Sequence, residues 1–157
     1  METKIKWGNR FIARPARGTY AASKFAIEAI HESLSYEVET FGIKVLIVEP
    51  GAFRTPFASR VITPARYAGG DGYSIFYQGT AVEKMFATTR EMTDLPDFMR
   101  GDPDKAARAI LRAATDGHDY LRMILGADCV EALESKLGQL KRDLEATRAI
   151  ATETDVD

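Results

Sequence analysis

A tyrosine and a lysine stand one helical turn apart in the stretch Tyr20-Ala21-Ala22-Ser23-Lys24. On a helix, side chains at that spacing share one face. An ammonium beside a phenol favours the phenolate. A phenol tuned toward neutral pH can give a proton to a carbonyl oxygen or take one from an alcohol. The lysine can also hydrogen-bond a sugar hydroxyl. This is the acid–base half of a hydride-transfer reaction, whose hydride must come from a nicotinamide. The same pair is also what an ordinary solvated helix face carries, so the surrounding elements decide between the two readings.

Those elements are legible from periodicity. Residues 1–18 are punctuated by Gly8, Pro15 and Gly18, with a short strand possible over 3–7. From there to Phe41 the chain has no Pro or Gly, and Ile27, Ile30, Leu34, Val38 and Phe41 recur at helical spacing. This predicts one long helix over 20–41, with Thr19 as its N-cap and Gly42 as its stop. The run 43–48 is continuously apolar apart from Lys44 and does not alternate. It reads as a strand buried on both faces, as in a parallel sheet. It ends at Glu49-Pro50-Gly51, and Ala52-Phe53-Arg54-Thr55 then falls at the carboxyl end of the sheet, where open α/β folds bind ligands.

Residues 52–100 read as an elaborated loop with a helix near 80–91. The loop either covers a substrate pocket or is a partly ordered surface segment. Its aromatic residues over 57–77 suggest a fairly apolar substrate. Asp102-Pro103-Asp104 starts a helix running to about Ala114, with a capping Asp, Pro at the first position and an acid in the first turn. A second strand is expected over 120–125 and a last helix over 128–148. The stripe Val130, Leu133, Leu137, Leu140 and Leu144 on that helix serves core packing or a subunit contact. Residues 149–157 are expected to fray. Two strands alone make a poor sheet. The chain therefore reads as one incomplete α/β domain, part of a larger doubly wound parallel sheet.

Composition narrows the function. The 157 residues are 45% hydrophobic and 28% charged, an ordinary globular balance, and a net charge of −2 argues against nucleic acid. No apolar run reaches a membrane span. The start is basic (Lys4, Lys6, Arg10, Arg14, Arg17) but has no apolar core of a secretory signal. The single Cys129 allows no internal disulfide and reads as a small buried hydrophobe, which fits a cytoplasmic location. His31 and His118 have no metal-like spacing, and no metal site is expected.

The stretch TYAASKFAIEAIHESLSYEVETFGIKVLIVEPGAFRTPF, from Thr19 to Phe57, resembles the C-terminal half of classical short-chain dehydrogenases/reductases. It carries their Y-x-x-x-K motif at Tyr20 and Lys24 and their P-G-x-x-x-T motif at Pro50 to Thr55. Residues 101–145 are similar to the family's closing helix–strand–helix. The resemblance implies a Rossmann-like fold and an NAD- or NADP-dependent interconversion of an alcohol and a carbonyl. It makes Tyr20 the catalytic acid/base. It gives Lys24 the role of lowering the tyrosine pKa and holding the nicotinamide ribose. Pro50, Gly51, Phe53 and Thr55 would line the nicotinamide end. A homo-oligomer through helix 20–41 is also implied.

The sequence departs from that family in its first 14 residues. No Gly-rich pyrophosphate turn is found, and Gly69-Gly70-Asp71-Gly72 follows no strand. The family's serine, a dozen residues before the tyrosine, has no counterpart around Trp7-Gly8-Asn9-Arg10. Loss of one such oxyanion-type donor typically costs about 2.7–4 kcal/mol of barrier. These departures lead us to expect a truncated and impaired enzyme over 1–157, with family-like residues at 15–148. The alternative is a non-catalytic remnant that only associates with other chains.

Overall fold

A computed structural model describes residues 12–57, 60, 65–67, 70–94 and 99–154. The strand expected at 3–7, the neighbourhood of the sought serine, and Gly69 lie outside these residues. The element order is α1 (Gly18–Val38), a 3-10 turn (Glu39–Phe41), β1 (Ile47–Pro50), α2 (Ala81–Asp94), α3 (Pro103–Asp116), β2 (Arg122–Leu125) and α4 (Ala127–Thr152). Short 3-10 turns at Ala65–Tyr67 and Ile75–Tyr77 punctuate the connection between β1 and α2. The class is α/β: β1 and β2 pair in parallel, with Ile47 opposite Arg122 and Pro50 opposite Leu125.

The long helix forms where expected but starts earlier. Its N-cap is Arg17, with no capping side-chain hydrogen bond, and Thr19 lies inside the first turn rather than at the cap. Gly42 stops it as expected: at φ 69° it takes the left-handed conformation and donates its N–H to the Glu39 carbonyl. Helix α3 starts as its sequence dictates. The Asp102 carboxylate accepts hydrogen bonds from the N–H groups of Asp104 and Lys105, which hold its carboxyl below the ordinary range. Helix α4 continues past the expected end at 148 to Thr152.

The strands are shorter than their apolar runs. Residues 43–46 are not strand, and Ile43 is 57% exposed. A strand needs a ladder partner, and β2 offers one only from Leu121, whose carbonyl accepts the Ile47 N–H at 2.8 Å. Ahead of that point the chain bends, and Lys44 Nζ instead donates to the His118 carbonyl at 2.7 Å. Nor is β1 buried on both faces throughout. Ile47 and Glu49 are buried, Val48 is half-buried and Pro50 is exposed.

The helices lie on opposite faces of this pair. On the face of Ile47, Arg122 reaches α1 and bridges Glu28 at 2.6 Å and Glu32 at 2.8 Å. Burial works against the Arg122 charge, but the hydrogen bonds and the negative charges of these two glutamates outweigh it, and its pKa is raised. On the other face, Val48, Pro50 and Leu125 look across a cavity toward Pro103, Ala106 and Ile110 of α3. Cys129 at the start of α4 is fully buried and its Sγ lies 3.2 Å from the Glu49 carbonyl oxygen, as befits a small buried side chain. Most of the apolar stripe of α4 faces outward: Leu133 is half-buried, but Val130, Leu137, Leu140 and Leu144 are exposed.

Candidate active site

The residue after β1 must make a close turn at the carboxyl end of the sheet. A Cβ on Gly51 would run into the Asp128 carboxylate. That carboxylate accepts the Ala52 N–H at 2.8 Å and so pins the turn. Two residues on, Phe53 forms a parallel bridge with Gly101. The Arg54 N–H donates to the Gly101 carbonyl at 2.9 Å, and the Gly101 N–H donates to the Ala52 carbonyl at 3.1 Å. A Cβ on Gly101 would stand 2.6 Å from the Ala52 oxygen and 2.7 Å from the Phe53 ring. The segment from Pro50 to Arg54 is thus held by the Asp128 carboxylate beside Gly51 and by backbone contacts that need a glycine at Gly101.

This segment forms one wall of a cavity of about 440 Å³. Pro50, Gly51, Phe53 and Thr55 all line it, and so does Tyr20 from the first turn of α1. The structure therefore brings five of the six residues singled out in the sequence to one space. Lys24 stands outside the lining. Its Nζ lies 5.5 Å from the centre of the Tyr20 ring, so the two do share a face of α1. The Tyr20 ring is 46% exposed and leans toward Phe57, with ring centres 6.3 Å apart. Ser23 does not replace the missing serine: its hydroxyl donates to the Tyr20 carbonyl, within the helix.

Beyond Phe57, the described residues of the connection between β1 and α2 do not line the cavity. Phe57 lines it, whereas Phe76 is 89% exposed and Tyr73 instead packs on Phe86 and donates to Glu83. That hydrogen bond and the negative charge of Glu83 push the Tyr73 phenol up. The His31 and His118 rings hydrogen-bond neighbouring backbone carbonyls on the surface. Among the described residues, no group of three metal-capable side chains comes together, and no helix is long and apolar enough to cross a membrane.

Two further cavity residues escaped the sequence reading, Arg14 and Arg17. They sit at the two ends of a tight turn in which the Arg17 N–H donates to the Arg14 carbonyl at 3.2 Å. Pro15 and Ala16 fill its centre, and Ala16 sits at φ 61°. A non-glycine residue in that region is strained, typically by about 1–2 kcal/mol. Burial lowers the Arg17 pKa to about 10, with the nearby Tyr20 raising it and Arg14 lowering it further. Burial also lowers the Arg14 value, against the pull of Asp128. Both guanidiniums remain charged at neutral pH. The signal in the sequence was the Arg-Pro-Ala-Arg spacing, which reads as a loop until the turn places both arginines on one side.

Comparisons with known proteins bear on the family and fold. The short chain dehydrogenase family profile matches residues 8–65. The chain is 35% identical over 120 residues to an uncharacterised oxidoreductase of Schizosaccharomyces pombe, covering 75% of this chain and 46% of that one. It is 59% identical over 39 residues to human retinol dehydrogenase 5, covering 25% of this chain and 12% of that protein. A solved short-chain dehydrogenase from Streptomyces avermitilis superposes with a TM-score of 0.66 at 32% identity, over 93% of this chain and 49% of that one. The chain thus spans about half the length of the yeast and bacterial proteins. The α/β layout with parallel strands is part of a Rossmann-like domain, and the chain belongs to the short-chain dehydrogenase family.

Proposed function

We propose that this oxidoreductase chain interconverts an alcohol and a carbonyl with NAD or NADP, using Tyr20 as the acid/base. The observation that carries the reading is that Tyr20 and the Pro50–Thr55 segment face one cavity. When bound there, a nicotinamide supplies or accepts the hydride. The Tyr20 hydroxyl gives its proton to the substrate oxygen in reduction and takes it back in oxidation. Lys24, with its Nζ 5.5 Å from the ring centre, contributes the positive charge near that phenol. Thr55 and the backbone around Phe53 hold a carboxamide-sized group at the strand end.

The residues present fit the nicotinamide end: flat apolar walls at Pro50 and Phe53, and a hydroxyl at Thr55. They do not supply a pyrophosphate cradle. Among the described residues, the place where a strand leads directly into a helix is Leu125-Gly126-Ala127, and there the Asp128 carboxylate faces Gly51. A phosphate at that helix start would meet a like charge.

The substrate we assign is fairly apolar. The support is the lining by Ile12, Phe57, Met99 and Ile110, together with the likeness to a retinol dehydrogenase. The oxidoreductase relatives favour an enzyme over a chain that only associates with others. A second copy packing on α1 is part of the proposal, supported by the exposure of Ile30, Leu34 and Phe41.

The test is a thermal unfolding scan of the protein with and without millimolar NAD(H) or NADP(H), followed by carbonyl reduction. A ligand specific for the folded state raises the transition by mass action. A rise with one nucleotide and turnover that disappears in Tyr20→Phe would support the proposal. Full turnover in Tyr20→Phe would remove Tyr20 from the mechanism.

A further inference from the structure

The charged side chains lining the catalytic cavity, among the described residues, are Arg14 and Arg17. Both are positive, and both enter from the same tight turn immediately before Tyr20. Most of the remaining wall among the described residues is apolar, with Ile12, Val48, Phe57, Met99, Ile110 and Leu125 among its side chains. In such a partly desolvated space a charge acts more strongly than in water. A guanidinium also presents a planar fork of donors that matches carboxylate and phosphate oxygens.

We infer that Arg14 and Arg17 form an anion-recognising corner of this cavity, so that the preferred substrate carries an apolar body and a carboxylate or phosphate head. The inference rests on the reading of Tyr20 as the reacting end of the same cavity, and it names the substrate class for that site.

Three observations carry it. The arginines line the same space as Tyr20, so an anionic head and a reacting carbonyl share one cavity. The turn that juxtaposes them holds Ala16 in the left-handed region, a conformation that persists only where surrounding structure enforces it. Burial depresses the Arg17 pKa and the neighbouring Arg14 adds to this against the pull of Tyr20, so the turn holds two positive charges close together in partly desolvated surroundings. The Asp128 carboxylate offsets part of the Arg14 charge, but it is committed to the Ala52 N–H and does not line the cavity.

The test measures binding by calorimetry with four probes: octanoate, octyl phosphate, octanol and inorganic pyrophosphate. The proteins are the wild type, Arg14→Met, Arg17→Met, Arg17→Lys and Tyr20→Phe, with melting followed by circular dichroism. The expected result is that octanoate or octyl phosphate binds at least about tenfold more tightly than octanol, as charge-assisted hydrogen bonds require. That preference should vanish in both methionine variants and persist in Arg17→Lys and Tyr20→Phe. The stronger of the two anions identifies the head group.

Equal binding of octanol and octanoate by the wild type overturns the inference. So does arginine-dependent binding of pyrophosphate with no preference for octanoate or octyl phosphate over octanol, which would assign the arginines to a cofactor's phosphates. If a methionine variant does not fold, the wild-type comparison and Arg17→Lys still decide. Failure of the catalytic reading is distinguishable. Wild-type turnover in Tyr20→Phe with an intact anion preference removes the catalytic role alone, and Tyr20-dependent turnover without that preference removes only the anion corner.

Discussion

The two sides of the cavity are built by different means. The strand-end side, Pro50 to Thr55, is fixed by backbone: the Ala52 N–H on Asp128, and the exchange of hydrogen bonds with Gly101. The helix side presents Tyr20 from the first turn of α1, with its ring nearly half exposed. It is reached through a strained turn rather than a ladder. One side is therefore a shaped surface whose loss is a loss of structure. The other is a side chain whose loss, under the proposed function, is a loss of chemistry.

That contrast can be broken by experiment. The largest effect should come from Tyr20→Phe. Removing a positioned general acid lowers turnover by about a hundredfold or more, while unfolding free energy stays within about 0.5 kcal/mol, as for an exposed position. A matching drop in melting temperature would erase the distinction between the two sides. Next comes Gly101→Ala, where the new methyl meets a backbone oxygen and a ring that cannot both move away. Overpacking of this kind costs about 2–3 kcal/mol, read by denaturant unfolding. An unchanged midpoint would mean that the Phe53 bridge does not hold the wall.

Gly51→Ala should be milder. Its methyl meets a side-chain carboxylate that can swing aside, at the loss of the Ala52 hydrogen bond. About 1 kcal/mol is expected, with weaker nucleotide-dependent stabilisation as the second readout. The smallest effect lies outside the cavity, at the Asp102 cap. The Lys105 and Asp104 N–H groups depress its carboxyl pKa in the folded state. The sign follows: this contribution is present above the unfolded-state value and is lost as pH falls through the lowered folded value. Asp102→Asn should flatten that part of the acid limb. An identical acid limb in the variant would show that the cap carries no charge-dependent stability.

Much of this was legible in the sequence, and the failures have physical causes. Asp102-Pro103-Asp104 and Gly42 are local signals, read by the backbone within a turn of themselves, and both held. The run 43–46 failed because strand propensity needs a partner, and the chain before Leu121 turns away. Thr19 failed as a cap because α1 begins one residue before it, at Gly18. Arg14 and Arg17 were seen only as scattered basic residues, since their convergence depends on the conformation of Ala16. Asp128 was not singled out in the sequence. Its bond to Ala52 joins residues 76 apart in sequence, beyond any local pattern.

The bridge from Arg122 to Glu28 joins residues 94 apart. Contacts of such separation form slowly, because a long loop must close before they repay its entropy. Helices α3 and α4 are built from local contacts, whereas the bridge that ties α1 to β2 waits until the two ends of that loop meet. The bridge between α1 and β2 is thus expected to be among the later contacts to form as the chain folds.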